Sequence, residues 1–367
     1  MKLEVLQENL AKGVSLANRF TSSRVQLPVL ANILFTASKN KLFLSSTNLE
    51  SSIKIAVGAK VEKEGEITVP GKTVAEIVQN LDAGRITLSA QKESLEIGSD
   101  NFASTISGMN ASDFPNIPGS VVKSSVLSGD NFKTSLAKVL FAVSSDETRA
   151  ALTGVLLVAG ENSIKLVATD GFRLSQSSLK IDVKEIKKHI IIPKNCLIEL
   201  EKLLVGESEF KMSVSESDKQ IVFEVGNAVL SSRLIEGDYP DFERIIPKSL
   251  KVDVDVDRLE FLKAVKLGGV FARDVANVLK LEIEDGFVNV LADSTKSGSQ
   301  KTKVDARVGG LDTKNMVMAF NYKFLEDFLN SVDDENIKMS FTDPNSPGVF
   351  ANPKDKDYLH IIMPVKL

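Results

Sequence analysis

The sequence predicts an α+β fold of three repeated domains. Two observations carry that prediction: a motif recurring three times at roughly 125-residue spacing, and two matching proline-bearing linkers between the copies. The spacing is domain-sized, far longer than a solenoid repeat. The motif is an apolar strand running into an amphipathic helix. It reads Ile67-Thr68-Val69-Pro70-Gly71-Lys72, then Val74, Ile77, Val78 and Leu81. Its second copy is Ile190-Ile191-Ile192-Pro193-Lys194, then Leu197, Leu200 and Leu204. Its third is Met316-Val317-Met318-Ala319-Phe320-Asn321, then Phe324, Leu325, Phe328 and Leu329. A domain copied three times suggests a structure built by rotation about a centre.

Each copy also opens with a short strand and a helix. Leu3 and Val5 precede Leu6, Leu10, Val14 and Ala17; Val126 precedes Phe132, Leu136, Val139, Leu140 and Val143. Spacings of three and four put these residues on one helix face. The third copy, Val252-Val254-Val256 with Leu259, Leu262 and Val265, is less regular. An arginine follows each helix: Arg24, Arg149 and Arg273. Strand-like runs come next, at Ile33-Leu34-Phe35, Val155–Val158 and Leu279–Ile283. Each domain therefore reads strand, helix, several strands, and then the same again. Helices are expected over about 6–19, 72–80, 129–142, 194–204, 257–267 and 321–332. The linkers lie near Asp113–Gly119 and Asp238–Pro247, each with an Asp, an aromatic and two prolines, which favour extended chain. Domain bounds follow at 1–121, 122–250 and 251–367.

At 367 residues, each domain is large enough for its own core. The net charge of −4 argues against tight, purely electrostatic DNA binding, though not against a basic inner surface on an acidic body. One cysteine, Cys196, excludes an internal disulfide and sits on an apolar helix face, where burial is expected. Charge interrupts the N-terminus at once, unlike a signal peptide, and no apolar run is long enough to span a membrane; a cytoplasmic protein is expected.

Catalytic chemistry finds no support. Gly71-Lys72-Thr73 lacks the upstream glycine of a phosphate loop, and Pro70 removes an N–H the loop would use, so a strand ending at Pro70 and a helix from Lys72 are expected. His189 and His360 are too isolated for a metal cluster or a nucleophilic triad, and each is expected at a strand edge. Asp253-Val254-Asp255-Val256-Asp257 alternates as a half-exposed strand does. No catalytic residues, metal ligands or cofactor site are expected. A binding or scaffold protein is.

Two segments stand out. In Leu166–Leu174, Asp170-Gly171 between apolar runs predicts a type I′ hairpin, with Phe172 and Leu174 on one strand face and Arg173 on the other. The C-terminal His360–Leu367 is unusually apolar, with Met363 and Val365 as an adaptable surface.

Together these segments resemble the bacterial sliding clamp family, the β subunit of the DNA polymerase III holoenzyme. The resemblance covers the whole chain. It rests on Ala168-Thr169-Asp170-Gly171 with Arg173-Leu174, on Gly237–Phe242 through Pro247, on Leu27-Pro28-Val29-Leu30, and on Met363-Pro364-Val365-Lys366-Leu367. It implies three clamp domains, each of two βαβββ halves with helices inside and sheets outside. Two chains would join head to tail as a six-domain ring. Such a ring holds duplex DNA by enclosure, needs only loose phosphate contacts, and tethers the polymerase. The six helical stretches sum to about +2 against the chain's −4, the right sign for a lining near DNA.

Of the basic residues in these stretches, Lys12, Arg19, Lys72, Lys133, Lys138, Lys194, Lys202, Arg258, Lys263 and Lys266 are candidates for the DNA-facing lining, and Arg24 and Arg149 match family positions near DNA. The implied peptide groove, between domains 2 and 3, is lined by Leu152, Thr169, Gly171, Phe172, Arg173, Leu174, Pro240, Arg244, Ile245, Asn321, Ile362, Met363, Pro364 and Val365. Its partners would be the polymerase III alpha subunit, the clamp loader and other motif-bearing proteins. Phe172 stands where the family is expected to carry His, and Glu243 where a basic residue is common. The homodimer interface implied pairs Phe102 and Ile106 with Val270 and Phe271. The competing readings are a monomeric triplicated ligand-binding protein and, more remotely, a nucleotide-processing enzyme.

Overall fold

The computed structural model describes residues 1–22, 27–121, 124–180, 189–215, 218–310 and 316–366. Among the described residues, six α-helices and 24 strands follow one another in the repeated order. The first copy runs β1 (Lys2–Leu6), α1 (Gln7–Asn18), β2 (Asn32–Ser38), β3 (Lys41–Thr47), β4 (Ser51–Lys63), β5 (Gly65–Pro70), α2 (Gly71–Gln79), β6 (Arg85–Gln91), β7 (Ser94–Ser99) and β8 (Phe102–Ser107). The second runs β9 (Ser125–Ser128), α3 (Gly129–Ala137), β10 (Gly154–Ala159), β11 (Ser163–Thr169), β12 (Arg173–Lys180), β13 (Ile190–Pro193), α4 (Lys194–Leu203), β14 (Glu209–Ser215), β15 (Gln220–Val225) and β16 (Ala228–Arg233). The third runs β17 (Val252–Asp257), α5 (Arg258–Ala272), β18 (Val278–Glu284), β19 (Phe287–Ser294), β20 (Gly298–Gly310), β21 (Met316–Asn321), α6 (Tyr322–Ser331), β22 (Asn336–Phe341), β23 (Gly348–Ala351) and β24 (Tyr358–Ile362).

The chain forms two compact units. The first comprises Met1–Asp130 with Ile198–Leu234 and holds one 12-stranded antiparallel sheet system. The second comprises Asn131–Val183, Lys187–Leu197 and Ile235–Leu367 and holds the other. The unit boundary crosses the second copy because its two halves pair sideways with different neighbours: β16 with β4, and β12 with β24.

Burial follows the sequence periodicity. In the first unit Leu10, Val14 and Ala17 of α1 and Val74 and Val78 of α2 are buried, and the two helices pack together. In the second, Phe261, Val265, Leu325, Phe328 and Leu329 of α5 and α6 join Val254, Leu281, Val290, Met339 and Phe350 in one core. The β5–α2 boundary falls at Pro70/Gly71, and no phosphate-loop geometry intervenes. Cys196 is buried, and β17 alternates buried valines with half-exposed aspartates. Helix α3 ends at Ala137 and is followed by a 3-10 turn at Leu140–Ala142, so the expected single helix is broken. Helix α5 runs five residues beyond its expected end, to Ala272.

Two expectations need correction. Asp170-Gly171 does not form a type I′ turn, which needs positive φ at both central residues. Of this pair only Gly171 has positive φ (92°), and the hairpin closes on a Thr169–Leu174 pair around a four-residue loop. His360 is not at an edge: it lies inside β24, fully buried, and stacks on Phe328 at 5.4 Å. Among the described residues no helix is long and apolar enough to cross a membrane.

Candidate functional site

A hydroxyl-closed hairpin loop recurs between β3 and β4, β11 and β12, and β19 and β20, spanning four residues in the first two and three in the third. In each, the last hydroxyl of the incoming strand accepts the N–H two residues on: Thr47 from Leu49 (3.0 Å), Thr169 from Gly171 (3.0 Å) and Ser294 from Lys296 (3.2 Å). These are ST-type turns, in which a short side chain replaces a backbone acceptor. The outgoing strands β4 and β12 therefore begin alike, and β20 follows a loop one residue shorter.

Strands β4 and β12 each pair with the last strand of the following domain. The register matches: Ser51 opposes Ser232 as Arg173 opposes Ile362. Just before each strand one more backbone bond extends the ladder, Arg233 N–H to Glu50 C=O and Met363 N–H to Phe172 C=O, both 2.8 Å.

The side chains at these equivalent places separate the two junctions. At the first, Glu50 faces Arg233, and Ser52 opposes Ser231 with their hydroxyls 2.6 Å apart. At the second, Phe172 faces Met363 and Leu174 opposes Ile361. Alternation along paired strands puts these four apolar residues on one sheet face. Leu174 and Ile361 are buried with Leu156, Val167, Ile191 and Phe242, and Tyr239, Ile245 and Ala151 pack against them. Phe172 is 62% exposed, and Met363 and Val365 stand partly out of the surface. An apolar floor beneath exposed apolar edges is the kind of surface that can take up an apolar segment. Behind Phe242, Leu156, Val158 and Ile191 face the linker Gly237–Glu243 across a cavity of about 490 Å³. Burial pushes the Tyr239 hydroxyl's pKa up, so it stays a neutral donor to the Val167 carbonyl (3.4 Å).

The predicted groove residues divide accordingly. Phe172, Leu174, Met363 and Val365 come together with Ile245, while Leu152 is buried, Pro240 exposed and Pro364 half-exposed. Thr169 and Gly171 shape the loop, and Asn321 caps α6 by accepting the Lys323 N–H at 3.0 Å. Arg244 projects outward and pairs with Asp241 (2.7 Å). Ile362 turns to the opposite sheet face, into the α5–α6 core, so the groove residue is its neighbour Ile361. Phe242 was missed too; its place in an apolar linker was the available signal.

Arg173 also lies on the opposite face, as alternation predicts. Its guanidinium, 10% exposed, binds Asp170 (3.1 Å), Asp327 (2.5 Å) and the Phe141 carbonyl (2.6 Å). It covers the rings of Phe324 (4.5 Å) and Phe141 (5.3 Å). Arg149 holds the same loop from the side, donating to the Asp170 carbonyl (3.0 Å) while paired with Asp146 (2.9 Å). The Thr148 hydroxyl first, and then that Arg149 contact, hold the Asp146 carboxyl below its usual range.

The predicted basic surface is uneven. Lys12, Lys263 and Lys266 are exposed, and Lys133 and Lys194 half-exposed; none has an ion-pair partner among the described residues. Lys72 is 87% exposed, with Glu76 at 4.0 Å. Arg19 and Lys202 share Glu199 (3.1 and 2.6 Å). Arg149 is held by Asp146 and the Asp170 carbonyl, and two further residues are committed elsewhere. Lys138 is locked to Asp355 at 2.5 Å, and Arg258 donates to the carbonyls of Asp334 and Leu329 at the end of α6. A cation held by a carboxylate or by helix-end carbonyls is not free for phosphate. Arg24 and Leu367 lie outside the described residues. At the predicted chain-to-chain contact Val270 is exposed and Phe102 and Phe271 partly so, while Ile106 points inward and is buried. Among the described residues no group of three or more His, Cys, Asp or Glu could hold a metal.

Comparison with known proteins agrees along the whole length. Residues 1–118, 126–241 and 243–366 match the family models of the DNA polymerase III beta subunit's N-terminal, central and C-terminal domains. The beta sliding clamp of Staphylococcus aureus is 29% identical over 356 residues, covering 94% of both chains. The fold matches the DNA polymerase III beta subunit of Thermotoga maritima with a TM-score of 0.91 at 27% identity, covering 100% of this chain and 99% of that one. It matches the DNA polymerase sliding clamp of Bacillus subtilis with a TM-score of 0.94 at 26% identity, with the same coverage.

Proposed function

Because this chain belongs to the DNA polymerase III beta subunit family, the bacterial sliding clamps, we propose that two copies close head to tail around duplex DNA and carry the polymerase in the groove of Phe172, Leu174, Ile361 and Met363. The function is that of a replication processivity factor. The family acts without catalysis, and we assign this chain no reaction of its own. Work on chromosomal DNA makes it cytoplasmic.

The observation that carries the ring is the repeated strand junction. Two of the three equivalent strands, β4 and β12, pair with the last strand of a following domain. The third, β20, is paired over Gly298–Asp305 on one side only, by β19, among the described residues. Strand β8, equivalent to β16 and β24, is likewise paired only by β7. Unpaired edges invite another strand. Placing β8 of one copy on β20 of another repeats the internal junction and leaves neither of these two edges unpaired when the ring closes. The internal register then fixes the new one: Phe102 opposes Thr302, Ser104 opposes Gln300 and Ile106 opposes Gly298. This pairing gives the buried Ile106 a backbone role at the contact.

Docking rests on the apolar junction, because the polar equivalents Ser52–Ser231 offer no such floor. Lys12, Lys133, Lys194, Lys263, Lys266 and Lys72 are the cations available for loose phosphate contact, with the clamp loader and other motif-bearing proteins as further groove partners. Retention on DNA tests enclosure. Loaded protein stays on a nicked circle and leaves once the circle is linearised; equal retention on both defeats the reading.

A further inference from the structure

We propose that Asp327, on α6 and off the groove face, is a positioning residue for partner docking, acting through Arg173 on the loop that presents Phe172. The inference rests on the docking reading above and adds a residue that touches no part of the groove.

The Asp170 carboxylate does two jobs. Its Oδ1 accepts the N–H groups of Phe172 (2.9 Å) and Arg173 (3.0 Å), which fixes the backbone carrying Phe172. Its Oδ2 accepts from Arg173 Nε (3.1 Å). The orientation of Arg173 therefore sets that of Asp170. Arg173 is oriented in turn by Nη1 on Asp327 (2.5 Å), Nη2 on the Phe141 carbonyl (2.6 Å) and the ring of Phe324 one helical turn before Asp327. At 10% exposure the guanidinium has little water to replace a lost carboxylate. An almost dry cation deprived of one partner moves toward its other one. Here that partner is Asp170, whose shift loosens its hold on the Phe172 N–H. Asp327 is itself 40% exposed, so its replacement leaves no buried void.

The test uses the full chain and the DNA polymerase III alpha subunit of the same organism as probe, with Kd read by biolayer interferometry. Asp327→Asn and Asp327→Ala weaken binding on the order of tenfold, and Asp327→Glu restores most of it. The Phe172 and Arg173 amides exchange hydrogen faster in the Asn and Ala variants. Arg173→Lys added to Asp327→Asn costs little more than either alone, because both act on one chain of contacts. Wild-type affinity in Asp327→Asn, or losses that add in the double variant, overturns the proposal. Phe172→Ala separates the two readings. If it binds as wild type, the docking site itself is misassigned. If it binds weakly while Asp327→Asn binds normally, only the positioning role falls.

Discussion

Met363 donates its backbone N–H to the carbonyl of Phe172 at 2.8 Å, and this bond joins the C-terminal segment to the loop that carries the most exposed aromatic of the groove. Two residues on, Val365 N–H binds the Ala319 carbonyl at 2.8 Å. The segment is thus held at two points and contributes one wall of the docking face. Deleting Met363–Leu367 is expected to abolish alpha-subunit binding while the dimer persists in sedimentation. Retained binding would misplace the groove.

Phe172→Ala removes an exposed ring with no core role, so the thermal midpoint should hold while the alpha subunit loses about 1–3 kcal/mol of binding, roughly 5- to 150-fold in Kd. A fall in melting temperature without a change in Kd would instead make Phe172 structural.

Gly171 lies at φ 92°, and a Cβ there would stand 2.8 Å from Arg149 Nη1. Gly171→Ala should lower stability by about 1–2 kcal/mol through backbone strain and displacement of Arg149. Chemical denaturation reads it, and an unchanged midpoint would mean that the loop relaxes freely.

Ser104 and Gln300 should face each other across the chain-to-chain junction. Their internal equivalents, Ile53–Leu230 and Ser175–His360, are paired by Cα register in both junctions. With Cys196 buried, Ser104→Cys with Gln300→Cys should oxidise to a covalently closed dimer on a non-reducing gel. Faster crosslinking of Ser104→Cys with Thr302→Cys would reject this register.

His360 gives stability a specific pH dependence. Burial first, then the nearby Arg173 charge, pushes its pKa from 6.5 down to about 3. As pH falls through 6.5 the unfolded chain takes up a proton that the folded chain refuses, so stability falls between about 6.5 and 3. The slope from this one group is at most about 1.4 kcal/mol per pH unit. His360→Gln should flatten the profile over that window in urea titrations. Parallel profiles would assign the loss to other groups.

The repeat and the helix starts were legible because they rest on periodicity, which burial enforces locally. The face alternation of Phe172, Arg173 and Leu174 was legible for the same reason. The burial of His360 was not: it depends on Ser175 and Phe328, distant in sequence, which supply a hydrogen bond at 3.0 Å and a stacking partner. Lys138 and Arg258 looked like surface cations, and only the tertiary fold brings Asp355 and the end of α6 to them. Choosing between Ile361 and Ile362 required the strand pairing, since a one-residue shift reverses the face.

The contrast between Ser52–Ser231 and Leu174–Ile361 sets a rule of traffic. If the proposed ring forms, each chain brings to it one such apolar junction among the described residues, so proteins competing for it would take turns, and a ring of two could carry one passenger while another waits alongside. Exchange on such a ring would then depend on how quickly an occupant vacates Phe172, and the supply of each competitor would decide which one boards next.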